Sequence, residues 1–163
     1  MLKQILSLCL AIFLFAGMAS AQDKTEITRA QAGKDCRSCN LFQADMAYKD
    51  VPGVNLSGSR LRQADLSLAT LNKANLSKAN LSIANLFGAR LTSVDLTNAN
   101  LERATLVGAY LGSANLKGAT LTGANLSGAE LETALGLTQI QLNAACGDAS
   151  TKLPNGLTIP SCR

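Results

Sequence analysis

Few side chains in this 163-residue chain are of types that do chemistry. The clearest group is the cysteines. Cys36 and Cys39 stand in a C-x-x-C arrangement, and Cys146 and Cys162 lie near the C-terminus. Such residues can form structural disulfides, exchange electrons with a partner thiol, or ligate zinc. Zinc in a structural site needs four donors at about 2.3 Å from one ion. Redox-active C-x-x-C pairs sit at a helix start in a βαβ setting, which this chain lacks. A structural disulfide at an N-terminal cap is therefore the favoured reading of Cys36 and Cys39, with a thiol–disulfide redox role as an alternative.

Other chemistry finds less support. The chain contains no histidine, which removes the commonest general base and the commonest metal ligand. The carboxylates Asp45 and Asp65 are twenty residues apart and fall on one side of a repeating pattern, but they occupy its ordinary polar position. They read as a solvated ladder, so no catalytic residue, metal ligand or cofactor is assigned. Net charge is +4, from 15 basic and 11 acidic residues. That is too weak for the basic footprint of a nucleic-acid binder.

Residues 1–21 read as a cleavable secretory signal peptide. Lys3 is a short basic start, Ile5 to Phe15 is nearly all apolar, and Ala19-Ser20-Ala21 is a small-residue cleavage motif. The apolar run is too short to span a bilayer, so no membrane anchor is expected after cleavage. The mature chain then starts near Gln22 and carries its four remaining cysteines into an oxidising compartment, periplasmic or extracellular.

The elements that position these residues follow from a beat of five. Every fifth residue from Leu61 to Leu131 is Leu, and stepping back to Leu41 adds Leu56 with Met46 and Val51 as substitutions. Ala stands two residues before most centres, as at Ala64, Ala69 and Ala74, with Asn or Asp commonly between. On a helix, successive leucines would lie roughly 140° apart and share no face. On a flat strand they would alternate between faces. The pattern works if the chain turns a corner every five residues, with Ala and Leu inward on one short side and the residue between them outward. Four sides then close a square coil of twenty residues.

From Cys39 to about Ala134 the chain resembles the pentapeptide-repeat family, whose repeat reads A-(D/N)-L-x-x. The resemblance implies an all-β fold, a right-handed quadrilateral β-helix. About five coils at roughly 4.8 Å each would make a rod about 24 Å long. Small inward residues fill such a rod and leave no ligand pocket. Gly often follows the central residue by two, as at Gly53, Gly58, Gly88 and Gly108, where tight corners favour positive φ. Lys49 falls at a normally inward Ala position beside Pro52, so an open or distorted first coil is expected.

The expected organisation is a signal peptide over 1–21, an N-terminal capping segment over 22–36, the β-helix over 37–136, and a C-terminal helix and disulfide-stapled tail over 137–163. Thr138 and Gln141 form a capping-box signature, with Leu137 and Leu142 as a hydrophobic staple and Gly147 as the stop. The segment from Gln139 to Cys146 reads as a lid, with a Cys146–Cys162 bond stapling the tail back. The two cysteine pairs then lie at opposite ends of the rod, which disfavours zinc. The tail is similar to that of exported bacterial members of the family, which implies a periplasmic address.

The family's best-known activity is protection of DNA gyrase by rods that mimic duplex DNA, which requires a strongly acidic surface. Here the balance is basic even without Lys3, so this role is an alternative and no nucleic-acid partner is expected. The favoured function is a non-catalytic structural or protein-binding solenoid. Its candidate partner surface is an apolar side formed by Tyr48, Leu68, Phe87 and Val107, with Ile83 at the preceding corner. Cover by Asp23 to Asp35 would remove that surface. The Asn-x-Ser sequences at Asn55, Asn75, Asn80 and Asn125 arise from the repeat itself, and no regular Thr ladder marks an ice-binding face.

Overall fold

The computed structural model describes residues 22–162; the expected signal peptide lies outside them. From Cys36 onward the backbone turns a corner every five residues. At each corner one residue takes a left-handed conformation, at Ser38, Gln43 and Tyr48 and then at every fifth position to Gly128. Between corners each side is too short for an extended strand. It makes one parallel bridge to the residue twenty ahead, from Asn40↔Arg60 and Asp45↔Asp65 to Asn115↔Leu135. The bridging residue donates one way and accepts the other, as in Arg60 N–H to Cys39 O at 2.8 Å and Leu41 N–H to Arg60 O at 2.9 Å.

Leu and Ala fill the interior. Leu86 and Leu96 are each 1% exposed, and Ala119 reaches only 3%. The outward Asn and Asp have a second job beyond solubility. Their Oδ1 atoms accept the N–H two residues on, as in Ser67 N–H to Asp65 at 3.0 Å and Thr97 N–H to Asp95 at 2.9 Å. This Asx turn helps shape the corner.

Lys49 does not open the first coil, contrary to expectation. Thr70 N–H donates to Lys49 O at 2.8 Å, and Asp50 pairs with Thr70. The side chain is only half-buried. Lys49 lies in the first coil, with no further coil beneath it, so its charge is not sealed in mid-stack, where burial would be costly. Pro52 takes the position whose N–H elsewhere donates to the outward Asn or Asp, while Val51 and Gly53 N–H keep their bonds to Thr70 O at 2.9 Å and Asn72 O at 2.8 Å, so the ladder is unbroken.

Both ends carry more structure than the five-residue pattern predicts. The helix Lys24–Gln31 is capped by Asp23, whose Oδ1 accepts from Thr25 and Glu26 N–H, and it buries Ala30 against the first coil. At the other end the helix is Gln139–Asn143, shorter than the expected lid, with its capping box intact. It stops at Ala144, so Gly147 is not its terminator. Gly147 instead pairs with Ser161, and a Cβ there would meet Ile159 Cγ2 at 3.0 Å. The backbone ladder continues past the last Leu, through Asn125↔Cys146 and Glu130↔Lys152. The C-terminal lid is therefore partly another layer of the solenoid.

Candidate partner surface

The side built on Met46, Leu66, Leu86, Leu106 and Leu126 carries the expected ridge. Tyr48 is 75% exposed, Phe87 49%, Leu68 44% and Ile83 38%, while Val107 is half-buried. Tyr48, Leu68 and Ile83 occupy left-handed corners, with φ of 59°, 56° and 59°. Each costs roughly 1 kcal/mol relative to glycine. For β-branched Ile83 the conformation is an outlier. These bulky residues are therefore held at cost where Gly, Ser or Lys serves at other corners.

The relief of this side is uneven. Along the corner column the residues run Tyr48, Leu68, Gly88, Gly108, Gly128, from bulky to bare. Leu68 leans over Gly88, where an added Cβ would lie 2.7 Å from Leu68 Cδ2. At Gly108 an added Cβ would meet nothing within 4 Å, so that shelf is open. The adjacent column runs the other way, with small Ala47 and Ser67 followed by Phe87 and Val107.

Charges of both signs border this side, with Asp45, Asp65 and Arg62 at the lower levels and Glu102 and Arg103 at the upper ones. None of these five enters a salt bridge among the described residues. Asp65 behaves as a ladder member, accepting from Asn85 Nδ2 at 3.1 Å.

The N-terminal segment does not cover the ridge. Gln31 Nε2 donates to Asp45 O at 2.6 Å and Gln22 Nε2 to Gln43 O at 3.1 Å. Gly33 lies nearest Val51. These contacts place the segment at the end of the rod. The pattern reading missed Tyr110, 46% exposed, which with Arg90, Asn72 and Thr92 borders a shallow groove of about 300 Å³ on the next side. Its column is otherwise polar, so no apolar signal marked it. Leu135 and Ile140, 58% and 83% exposed, were also missed, because they lie where the repeat ends.

The cysteines form two disulfides, Cys36–Cys39 and Cys146–Cys162. Cys36 and Cys39 take inward positions that Leu and Ala hold elsewhere, and are 1% and 6% exposed. The C-x-x-C spacing is thus the spacing of two inward residues on either side of a corner. Ser59, fully buried, supports the bond: its hydroxyl donates to Cys36 O at 2.7 Å and accepts from Cys39 N–H at 3.2 Å.

The pentapeptide repeats family matches residues 53–83, 84–123 and 99–135, in eight copies. Among solved structures, the pentapeptide repeat protein alr5209 from Nostoc Pcc 7120 is 28% identical, with 84% of this chain and 88% of that one covered and a TM-score of 0.55. HetL from Nostoc sp. strain PCC 7120, a pentapeptide repeat protein involved in heterocyst differentiation regulation, is 30% identical, with 78% and 60% covered and a TM-score of 0.49. A pentapeptide repeat protein of the Arabidopsis thaliana thylakoid lumen is 32% identical, with 73% and 78% covered and a TM-score of 0.46. No curated protein matches the chain in sequence.

Proposed function

The chain belongs to the pentapeptide-repeat family, whose members form right-handed quadrilateral β-helices, and from that premise we propose a non-catalytic, protein-binding solenoid that works outside the cytoplasm. The observation that carries this reading is the contrast between a side-chain-filled interior and one exposed apolar side. With Leu and Ala closing the core, recognition falls to the outer surface, and the ridge from Tyr48 to Val107 is its most distinctive apolar part. The signal-like start and two formed disulfides support an oxidising compartment.

Two other roles are less well supported. Gyrase protection by DNA mimicry needs an acidic rod, and 15 basic residues against 11 acidic ones run against it. A redox role for Cys36 and Cys39 needs thiolate access to a sulfur, and these sulfurs belong to residues at most 6% exposed.

The test is capture from a periplasmic extract by the chain purified from its own host, with its N-terminus determined. The expected result is a start near Gln22 and a specific captured protein that Leu68→Lys releases. A chain found in the cytoplasm with free thiols overturns the address. Capture unchanged by Leu68→Lys overturns the ridge.

A further inference from the structure

We propose that the ridge is an isologous interface on which a second copy of this chain packs antiparallel. This rests on the reading of the ridge as a protein-binding surface and names its occupant. Consider a two-fold axis lying across the side, between the levels of Leu68 and Gly88. It sets the level of residues 45–48 against the partner's level of residues 105–108, and the level of residues 65–68 against that of residues 85–88. Each column then faces its own copy in reverse order.

Under this operation large residues meet small ones in both columns. Tyr48, 75% exposed, lies over the partner's Gly108, where the surface is open. Phe87 faces the partner's Ser67, and Val107 faces the partner's Ala47. Leu68 leans over its own Gly88 toward the axis and meets the partner's Leu68.

The charges agree with the same operation. Asp45 lies opposite the partner's Thr105 and beside the partner's Arg103. The pairing of Asp45 with the partner's Arg103, made twice by the two-fold, supplies charge complementarity in this register. The strain at Ile83 fits the same design, because its side chain borders the partner's Gln63 across the axis.

Four levels of roughly 4.8 Å make a small contact, so the dimer is expected to dissociate in roughly the micromolar range. Sedimentation velocity of the purified protein over a concentration series should show a reversible monomer–dimer equilibrium. Leu68→Lys should abolish it without altering circular dichroism, since Lys73 and Lys78 already occupy such corners. Asp45→Arg and Arg103→Asp should each weaken the dimer by roughly tenfold, and together restore it. A monomer at every concentration, a dimer indifferent to Leu68→Lys, or a double reversal no tighter than the singles would overturn the proposal. If the protein is monomeric while Leu68→Lys still releases a captured periplasmic protein, only the self-association falls. If neither responds, the ridge reading falls with it.

Discussion

At the N-terminal end the eight-residue helix Lys24–Gln31 rests on the first coil, and a disulfide three residues long locks the adjoining corner from within. At the C-terminal end the five-residue helix Gln139–Asn143 supplies one buried plug, Leu142, and a disulfide spanning sixteen residues ties an outer layer back to the ladder. Both ends use an aspartate where the ladder lacks a backbone acceptor. Asn55 N–H donates to Asp35 Oδ1, and Gly128 N–H to Asp148 Oδ1, each at 3.0 Å. The difference lies in depth. Cys36 and Cys39 replace core residues, so that end is an extension of the interior. Cys146 and Cys162 are half-buried and the tail is mostly exposed, so that end is a lid fastened from outside.

The sharpest way to break this contrast is Leu142→Ala. Removing the plug leaves a cavity over the last coil and should cost about 3 kcal/mol in urea unfolding. Ile27→Ala at the other end, only half-buried, should cost clearly less; equal losses would mean that the two caps are built alike. Next in size is Ser59→Ala, which leaves Cys39 N–H and Cys36 C=O unpaired in the interior. It should cost about 2 kcal/mol, and a neutral result would show that the corner does not depend on its buried hydroxyl.

The smallest expected effect is electrostatic and confined to the lid. The Ser150 hydroxyl foremost, against an opposing desolvation and together with Gly128 and Ser150 N–H and the Thr151 hydroxyl, holds Asp148 below the usual carboxylate range. A depressed carboxyl contributes stability above its unfolded value, and that stability is lost as pH falls through the folded one. Lys152 is shifted in the other direction, raised by its hydrogen bond to Glu130, the charge of Glu130 and that of Glu132. Its contribution is complete below the unfolded value and is lost as pH rises through the folded one. The protection of the Gly128 amide relative to its intrinsic exchange rate should therefore fall in acid, and that of the Lys152 amide in alkali. Protection at the N-terminal corner falling first in acid would reverse the comparison.

Most of the solenoid was legible because its code is local. Leu at one position and Ala two before it state what faces inward, and every such residue from Leu41 to Leu131 is buried as read. Lys49 misled because a pattern cannot tell a middle coil from an end coil, and only in an end coil is an inward charge not sealed in mid-stack. The tail was missed as a further layer because its register slips. Asn125 pairs with Cys146 and Glu130 with Lys152, each one or two residues beyond the regular spacing of twenty. The N-terminal helix was announced only by Asp23 and Glu26, a cap signature without a long apolar stripe behind it. That Tyr48, Leu68, Ile83, Phe87 and Val107 face outward was legible, because a bulky residue at an outward position breaks the code. Tyr110 breaks it too, but alone in its column.

The spacing of twenty also sets how such a surface can be edited. Four sides share each turn, so a deletion of one five-residue unit between Leu68 and Ile83 would carry Phe87 and Val107 a quarter-turn away from Tyr48. Loss or gain of a whole turn would keep them aligned and merely shorten or lengthen the ridge. The corners and core would accept either change equally well. In this protein folding is indifferent to the unit of insertion, whereas the outer surface counts in fours.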